Sequence, residues 1–206
     1  MSNDEISRDV IAKTRVQMVV AKSIIARDSG DWVGVAECFH PDATLTTSWF
    51  TGTPAEFVEG SKRMKIARHP GESQKHMTSN FSVELHDGRA VSECDLILYQ
   101  RRLIEGIALD FATWSRRLDL VELVGTDWKI WRANLIYEKD RMDPAMPDAD
   151  LKAFYETIDF SSYPAQIRHH CWRNAMAGFP PSPKICLKGS EREEEVRSEA
   201  RRWLAR

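Results

Sequence analysis

The chain has no apolar run approaching the ~20 residues that a membrane-crossing helix needs, so a membrane partner is not expected. Its opening stretch, MSNDEISRDV, lacks the apolar segment of a secretory signal, and a cytoplasmic location is expected. Neither charge sign is in excess. Lys and Arg number 29 against 31 Asp and Glu, for a formal charge of −2, which leaves no electrostatic reason to expect nucleic acid. Cysteine is scarce: Cys38, Cys94, Cys171 and Cys186 form no C-x-x-C pair and no cluster with histidine at metal-ligand spacing. A reduced compartment without structural zinc follows. Cys38 and Cys94 lie in apolar segments, where thiols are usually buried and inert. His169-His170 sits in no H-E-x-x-H pattern, and no glycine-rich phosphate loop occurs. No bound metal and no organic cofactor are therefore expected. Repeats and low-complexity tracts are also missing.

What is present suffices for a core: 42% of the 206 residues are hydrophobic, and the length favours one domain with additions, or at most two small ones. The stretch Arg27 to Trp49, RDSGDWVGVAECFHPDATLTTSW, organises the rest. Ser29-Gly30 breaks a preceding helical pattern. Asp31 sits where the next helix begins and can cap its free N–H groups. Trp32, Val35, Ala36 and Phe39 give that short helix an apolar face. His40-Pro41-Asp42 ends it, and Ala43 to Trp49 suits a strand.

Before this stretch, Asp9 to Arg27 reads as a long helix whose buried stripe is Val10, Thr14, Met18, Ala21 and Ile25, widened by Ile11 and Ile24. After it, Thr53 and Pro54 start a helix reaching about Lys65. Four segments then read as strands: His76 to Leu85, Ala90 to Arg101, a long and bulged Ile107 to Val124, and Trp128 to Glu138. Asp87-Gly88 and Gly125-Thr126-Asp127 make their turns. Consecutive antiparallel hairpins behind N-terminal helices mean α+β. From Asp140 the character changes. Asp143-Pro144 and Met146-Pro147 interrupt regular structure, and a mostly helical tail follows, with Val196, Ala200, Trp203 and Leu204 on one face of its last segment. The expected division is 1–143 for the main domain and 144–206 for an extension packed on it or on a neighbouring subunit.

The turn with Asp28 and Asp31, D-x-x-D-W, followed by C-F-H-P-D-A at Cys38 to Ala43, resembles the SnoaL-like proteins of the nuclear transport factor 2-like superfamily. The resemblance extends from about Val10 to Asp143. It implies a cone-shaped curved sheet packed on the N-terminal helices, with a pocket at the open end. Scytalone dehydratase, ketosteroid isomerase and polyketide cyclases share that fold, and some relatives carry a similar tail. Fold alone does not fix chemistry.

The resemblance places a general acid/base at His76, where H-M-T-S-N runs to Asn80, and an orienting carboxylate at Asp31. Histidine suits proton transfer near neutral pH, and a carboxylate can fix its tautomer. Asp31 is also a sufficient helix cap. The dehydratases place a tyrosine on the first helix, but Lys22-Ser23-Ile24-Ile25 stands there instead. Glu93 and Asp95 share one strand face; Asp95 is a second acid if that face lines the pocket, or a salt-bridge partner of Arg116 if not. Trp49, Phe50, Phe111, Trp131 and Tyr137 supply aromatic surface for an apolar, flat or polycyclic ligand, or else core. Arg132 suits an anionic substrate group or an interface ion pair.

Two functions stand. One is a cofactor-independent lyase or isomerase, of dehydratase or cyclase type, working through His76 and Asp31. The other is a non-catalytic pocket or oligomeric scaffold, the dioxygenase small-subunit type included. A homo-oligomer, a dimer first, is expected through the outer sheet face, since apolar residues alternate onto both faces of the last strands. The tail is the competing cover.

Overall fold

A computed structural model describes residues 2–66, 69–146 and 151–205, so Pro147 of the expected chain break lies outside it. Helix α1, Asn3–Ser29, starts earlier than the apolar pattern alone suggests, because Ser2 and Glu5 close a capping box. Gly30 stops it with φ 83°, a left-handed C-cap that a side chain would strain. Helix α2, Trp32–Glu37, is capped by Asp31, whose Oδ1 accepts the Gly34 N–H at 2.9 Å. Strands β1 (Phe39–Thr46) and β2 (Thr51–Gly52) follow, then α3 (Pro54–Ile66) and four long strands: β3 (Ser73–His86), β4 (Arg89–Ile104), β5 (Ile107–Val124) and β6 (Asp127–Pro144). Phe39 thus opens β1 rather than closing the short helix.

The strands form one sheet in the order β2-β1-β6-β5-β4-β3, antiparallel except where β1 meets β6. This is the α+β architecture that the resemblance implies. The inner face packs on the helices through Val20, Val35, Leu45, Phe57, Ile130 and Ala133. The buried side of α1 is Val16, Val20, Ser23 and Ile24, which shares only Ile24 with the expected stripe: Val10 is 55%, Met18 65% and Ile25 67% exposed. Both stripes have helical period, and the one that faces the sheet carries Ser23 into the interior. Polarity at that position hid it from a hydrophobic count.

The tail continues with α4 (Leu151–Glu156), α5 (Arg168–Met176), β7 (Cys186–Leu187) and α6 (Glu191–Leu204). Phe154 and Trp172 pack with Ile104, Leu109, Phe111 and Met142 beyond one end of the cavity described below. Strand β7 pairs with β6 at Ile136 and Tyr137. Helix α6 lays Val196, Ala200 and Trp203 on Leu118, Leu120 and Ile136 of the outer sheet face. Burying a valine-sized side chain contributes about 1.5–3 kcal/mol, so this seam is a substantial cover. The apolar outer face that motivated a dimer is thus filled by the chain's own tail, the competing outcome. All four cysteines are buried and unpaired; burial raises Cys94 and Cys171 to about 12.

Candidate active site

A cavity of about 80 Å³ lies between the inner sheet face, α1, α3 and α5, several times the room one water needs. Alternation on each strand decides its walls. Strand β4 contributes Leu96, Leu98 and Gln100, β5 contributes Thr113, Ser115 and Arg117, β6 contributes Leu135 and Tyr137, and β3 contributes Gln74 and His76. Ser23, Ile24 and Arg27 enter from α1, Trp49 from the turn after β1, and His170, Arg173 and Asn174 from α5.

His76 is held by Asp28, not by Asp31. Its Nδ1 lies 2.7 Å from Asp28 Oδ1, and its backbone N–H donates to Asp28 Oδ2 at 2.7 Å. Arg27 Nη1 lies 3.3 Å from the other ring nitrogen, Nε2. A guanidinium only donates. Nδ1 therefore carries the hydrogen, given to the carboxylate, and Nε2 keeps its lone pair. Burial lowers the His76 pKa, the Asp28 hydrogen bond pulls it back and Arg27 lowers it again; the net is below the ordinary histidine value. Burial works against the charge of Asp28, but the side-chain and backbone bonds from His76 outweigh it and its pKa falls. A neutral imidazole with a fixed tautomer results. Asp31 is exposed and serves the α2 cap. The signal missed at Asp28 is its place in the last turn of α1, where a carboxylate opposes the helix dipole and so needs a partner.

The tail builds the second polar group. His170 is 4% exposed. Its Nε2 meets Ser48 Oγ at 2.6 Å and Asn174 Nδ2 at 3.1 Å; its Nδ1 meets Thr113 Oγ1 at 3.1 Å and Arg173 Nη2 at 3.3 Å. Amide and guanidinium donors face both nitrogens, and burial first, then Arg173, push its pKa well below the ordinary value. Asp140 fixes the helix start, accepting the His170 N–H at 2.7 Å and bonding His169 Nδ1 at 2.8 Å. The R-H-H-C-W-R-N run reads as a solvated helix, so no sequence period exposed this role. Tyr137, raised to about 12 by burial, accepts the Ser48 N–H at 2.9 Å.

Of the other expected site residues, Trp49 and Tyr137 line the cavity and the rest do not. Asp95 is on the outer face, bound to Arg116 Nη2 at 2.7 Å and Asn80 Nδ2 at 2.6 Å. Asn80 leaves the His76 face because the β3–β4 register shifts between Ser79 and Ser82, and its φ is 54°. Trp131 and Arg132 also face outward. The β5–β6 register shifts between Leu120 and Val121, so that Trp131 is skipped in the pairing, and a bulge inverts strand parity. Trp131 stacks on Trp203 at 5.9 Å, and Arg132 reaches Glu199 at 3.6 Å. Phe50 packs behind Trp49 on Phe57, 5.6 Å between rings. Phe111 has the inner parity but lies beneath Arg173, whose Cζ is 5.5 Å from its ring.

Comparison with known proteins agrees with this architecture. A model of the SnoaL-like domain matches residues 8–134. A PEP2-like protein of Fusarium vanettenii is 30% identical over 192 residues, covering 86% of this chain and 79% of that one. A putative scytalone dehydratase from Novosphingobium aromaticivorans superposes with a TM-score of 0.56 at 16% identity, over 70% of this chain and 99% of that one. A hexachlorocyclohexane dehydrochlorinase superposes at 0.57 with 14% identity, over 69% and 94%. The domain match stops before α5, so His170, Arg173 and Asn174 are additions from the tail. The chain belongs to the SnoaL-like domain family and has its nuclear transport factor 2-like fold.

Proposed function

We propose that this protein is a cofactor-independent lyase or isomerase that moves a proton on a small, largely apolar molecule. The observation that carries the reading is the Asp28–His76 pair, with Nδ1 on the carboxylate and Nε2 directed away from it. In this scheme Nε2 takes a proton from a carbon next to an electron-withdrawing group. The freed electron pair either expels a leaving group from the adjacent carbon, as in a lyase, or moves into a carbonyl before the proton returns elsewhere, as in an isomerase. Asp28 stabilises the imidazolium that forms. Tyr137 stays protonated at working pH, and its hydroxyl hydrogen can donate to a substrate oxygen. It takes the part of the phenol missing from α1. The dehydratase and dehydrochlorinase among the similar folds perform eliminations by name, which supports the lyase branch.

The test is proton exchange. The protein is incubated in D2O with a panel of cyclic ketones, hydroxyketones and chlorinated cyclohexanes, and NMR reads deuterium uptake, water loss or chloride release. Turnover by the wild type that His76→Ala lacks supports the reading. Equal rates in both, or none in either, contradict it.

One observation favours a non-catalytic pocket: Arg27 Nη1 already occupies the Nε2 lone pair at 3.3 Å, and must swing away before a substrate proton reaches it. A homodimer is retained as a proposal on narrower ground, the outer face of β3 and β4 where Met77 and Tyr99 are 55% and 43% exposed. Light scattering at a mass near 23.6 kDa, independent of concentration, would reject it. A cytoplasmic location belongs to the same reading, supported by four unpaired thiols.

A further inference from the structure

The charges around the cavity do not balance. Among the described residues, three arginines line it (Arg27, Arg117 and Arg173) and no aspartate or glutamate does. Asp119 answers Arg117 at 2.8 Å. Arg173 has no such partner. It is 6% exposed, its Nη2 donates to the neutral Asn174 Oδ1 at 2.6 Å, and its buried Nη1 has no hydrogen-bond partner. No carboxylate among the described residues comes within ion-pair range of it. Arg117 Nη2 is likewise buried without a partner.

A buried guanidinium without a counter-charge is costly, and so is each of its N–H groups left unpaired. A fold that positions one on a cavity wall, rather than letting it reach solvent, supplies half of an ion pair. We propose that the ligand of this cavity carries an anionic oxygen group, a carboxylate in the simplest case, received by Arg173 of α5, with Arg117 of β5 a second cation on the cavity wall. The planar fork of arginine matches two carboxylate oxygens. The remaining walls, Leu96, Leu98 and Leu135 among them, suit an apolar body. The ligand class is therefore a small organic acid with a hydrocarbon or aromatic part. Burial lowers Arg173 to about 9, so it is still a cation at neutral pH.

This names the ligand class of the site proposed above and shares its cavity, but it does not depend on His76 acting as a base. Binding is measured on the full chain at pH 7 by calorimetry and ligand-detected NMR, with benzoate and hexanoate against their neutral amides, benzamide and hexanamide. The acids are expected to bind at least tenfold more tightly than the amides. Arg173→Gln is expected to remove that preference, and Arg173→Lys to restore part of it. The binding comparison needs no turnover, so a failed proton-transfer assay leaves this result readable. Arg173 held only for structure would make Arg173→Gln melt lower with amide and acid binding changed alike. The ligand-free Arg173→Gln variant is instead expected to melt no lower than the wild type, since an unpaired buried charge is gone. Amides binding as tightly as acids, no acid binding at all, or a preference untouched in Arg173→Gln would each overturn the proposal.

Discussion

Two histidines face one cavity and are built in opposite ways. His76, on the strand wall of the family domain, gives one nitrogen to a carboxylate and keeps on the other a lone pair that, among the described residues, only Arg27 Nη1 meets, at 3.3 Å. His170, on the tail helix, has both nitrogens engaged by hydroxyl, amide and guanidinium groups, with no carboxylate on its ring. Proton transfer needs a group whose charged form is stabilised at the moment it appears. Asp28 does that for His76. No carboxylate among the described residues reaches the His170 ring, and burial together with Arg173 beside it opposes its imidazolium. The first histidine is arranged to take a proton, and the second to stay neutral and tie the tail to Ser48 and Thr113.

The comparison breaks most visibly at His76. His76→Ala is expected to lower the exchange or elimination rate about 10²–10⁴-fold, with circular dichroism unchanged. Asp28→Asn keeps the shape but not the charge; a loss in the same direction, smaller than that of His76→Ala, is expected, with the His76 pKa lowered further. An unchanged rate in Asp28→Asn would make the pair structural.

At His170 the expected effect is on stability. His170→Gln leaves parts of the Ser48, Thr113 and Asn174 network unsatisfied, at a cost of about 1–3 kcal/mol, while exchange stays within a few-fold. Acid sharpens the contrast. The folded pKa of His170 lies below its unfolded value, so the unfolded chain binds more protons. Its contribution is complete above about 6.5 and is lost as pH falls. Asp119, raised to about 6 by burial, has the opposite sign, losing stability as pH rises toward that value. The melting-temperature gap between wild type and His170→Gln, in which Asp119 cancels, should narrow from pH 7 to pH 5. A gap that widens would refute the neutral ring.

The smallest effect belongs to Asp31. Asp31→Ala removes the α2 cap and is expected to cost about 1 kcal/mol, without altering exchange or the His76 titration. A large rate loss would return Asp31 to the chemistry.

These outcomes follow the line between what was legible in the sequence and what was not. Gly30, Asp87-Gly88 and the cap at Asp31 act through local backbone, so the turns and the α+β order could be read directly. His76 could be placed at the start of its strand through the family resemblance, and alternation fixes a face only over a few residues. The bulges after Ser79 and Leu120 invert that alternation, which moved Asn80 and Trp131 to the other side, while Arg132 faces outward by plain alternation with Ala133 and Leu135. Asn80 suits the left-handed φ of the first bulge, but no residue type marks the second. Asp31 drew attention through its cap, while Asp28, one helical turn earlier, had no local task to explain it. His170 and Arg173 reach the cavity only through the tertiary path of the tail, which carries no periodic trace. Their polarity reads as solvation until the chain is folded.

The central claim is that Asp28 holds His76 neutral, with the hydrogen on Nδ1. Long-range proton–nitrogen NMR of nitrogen-15-labelled protein at pH 7 tests it directly, with His76→Ala assigning the signals. The account predicts a His76 ring protonated at Nδ1 and bare at Nε2, titrating below the ordinary histidine value. A ring protonated at Nε2, or one still doubly protonated at pH 7, would contradict it.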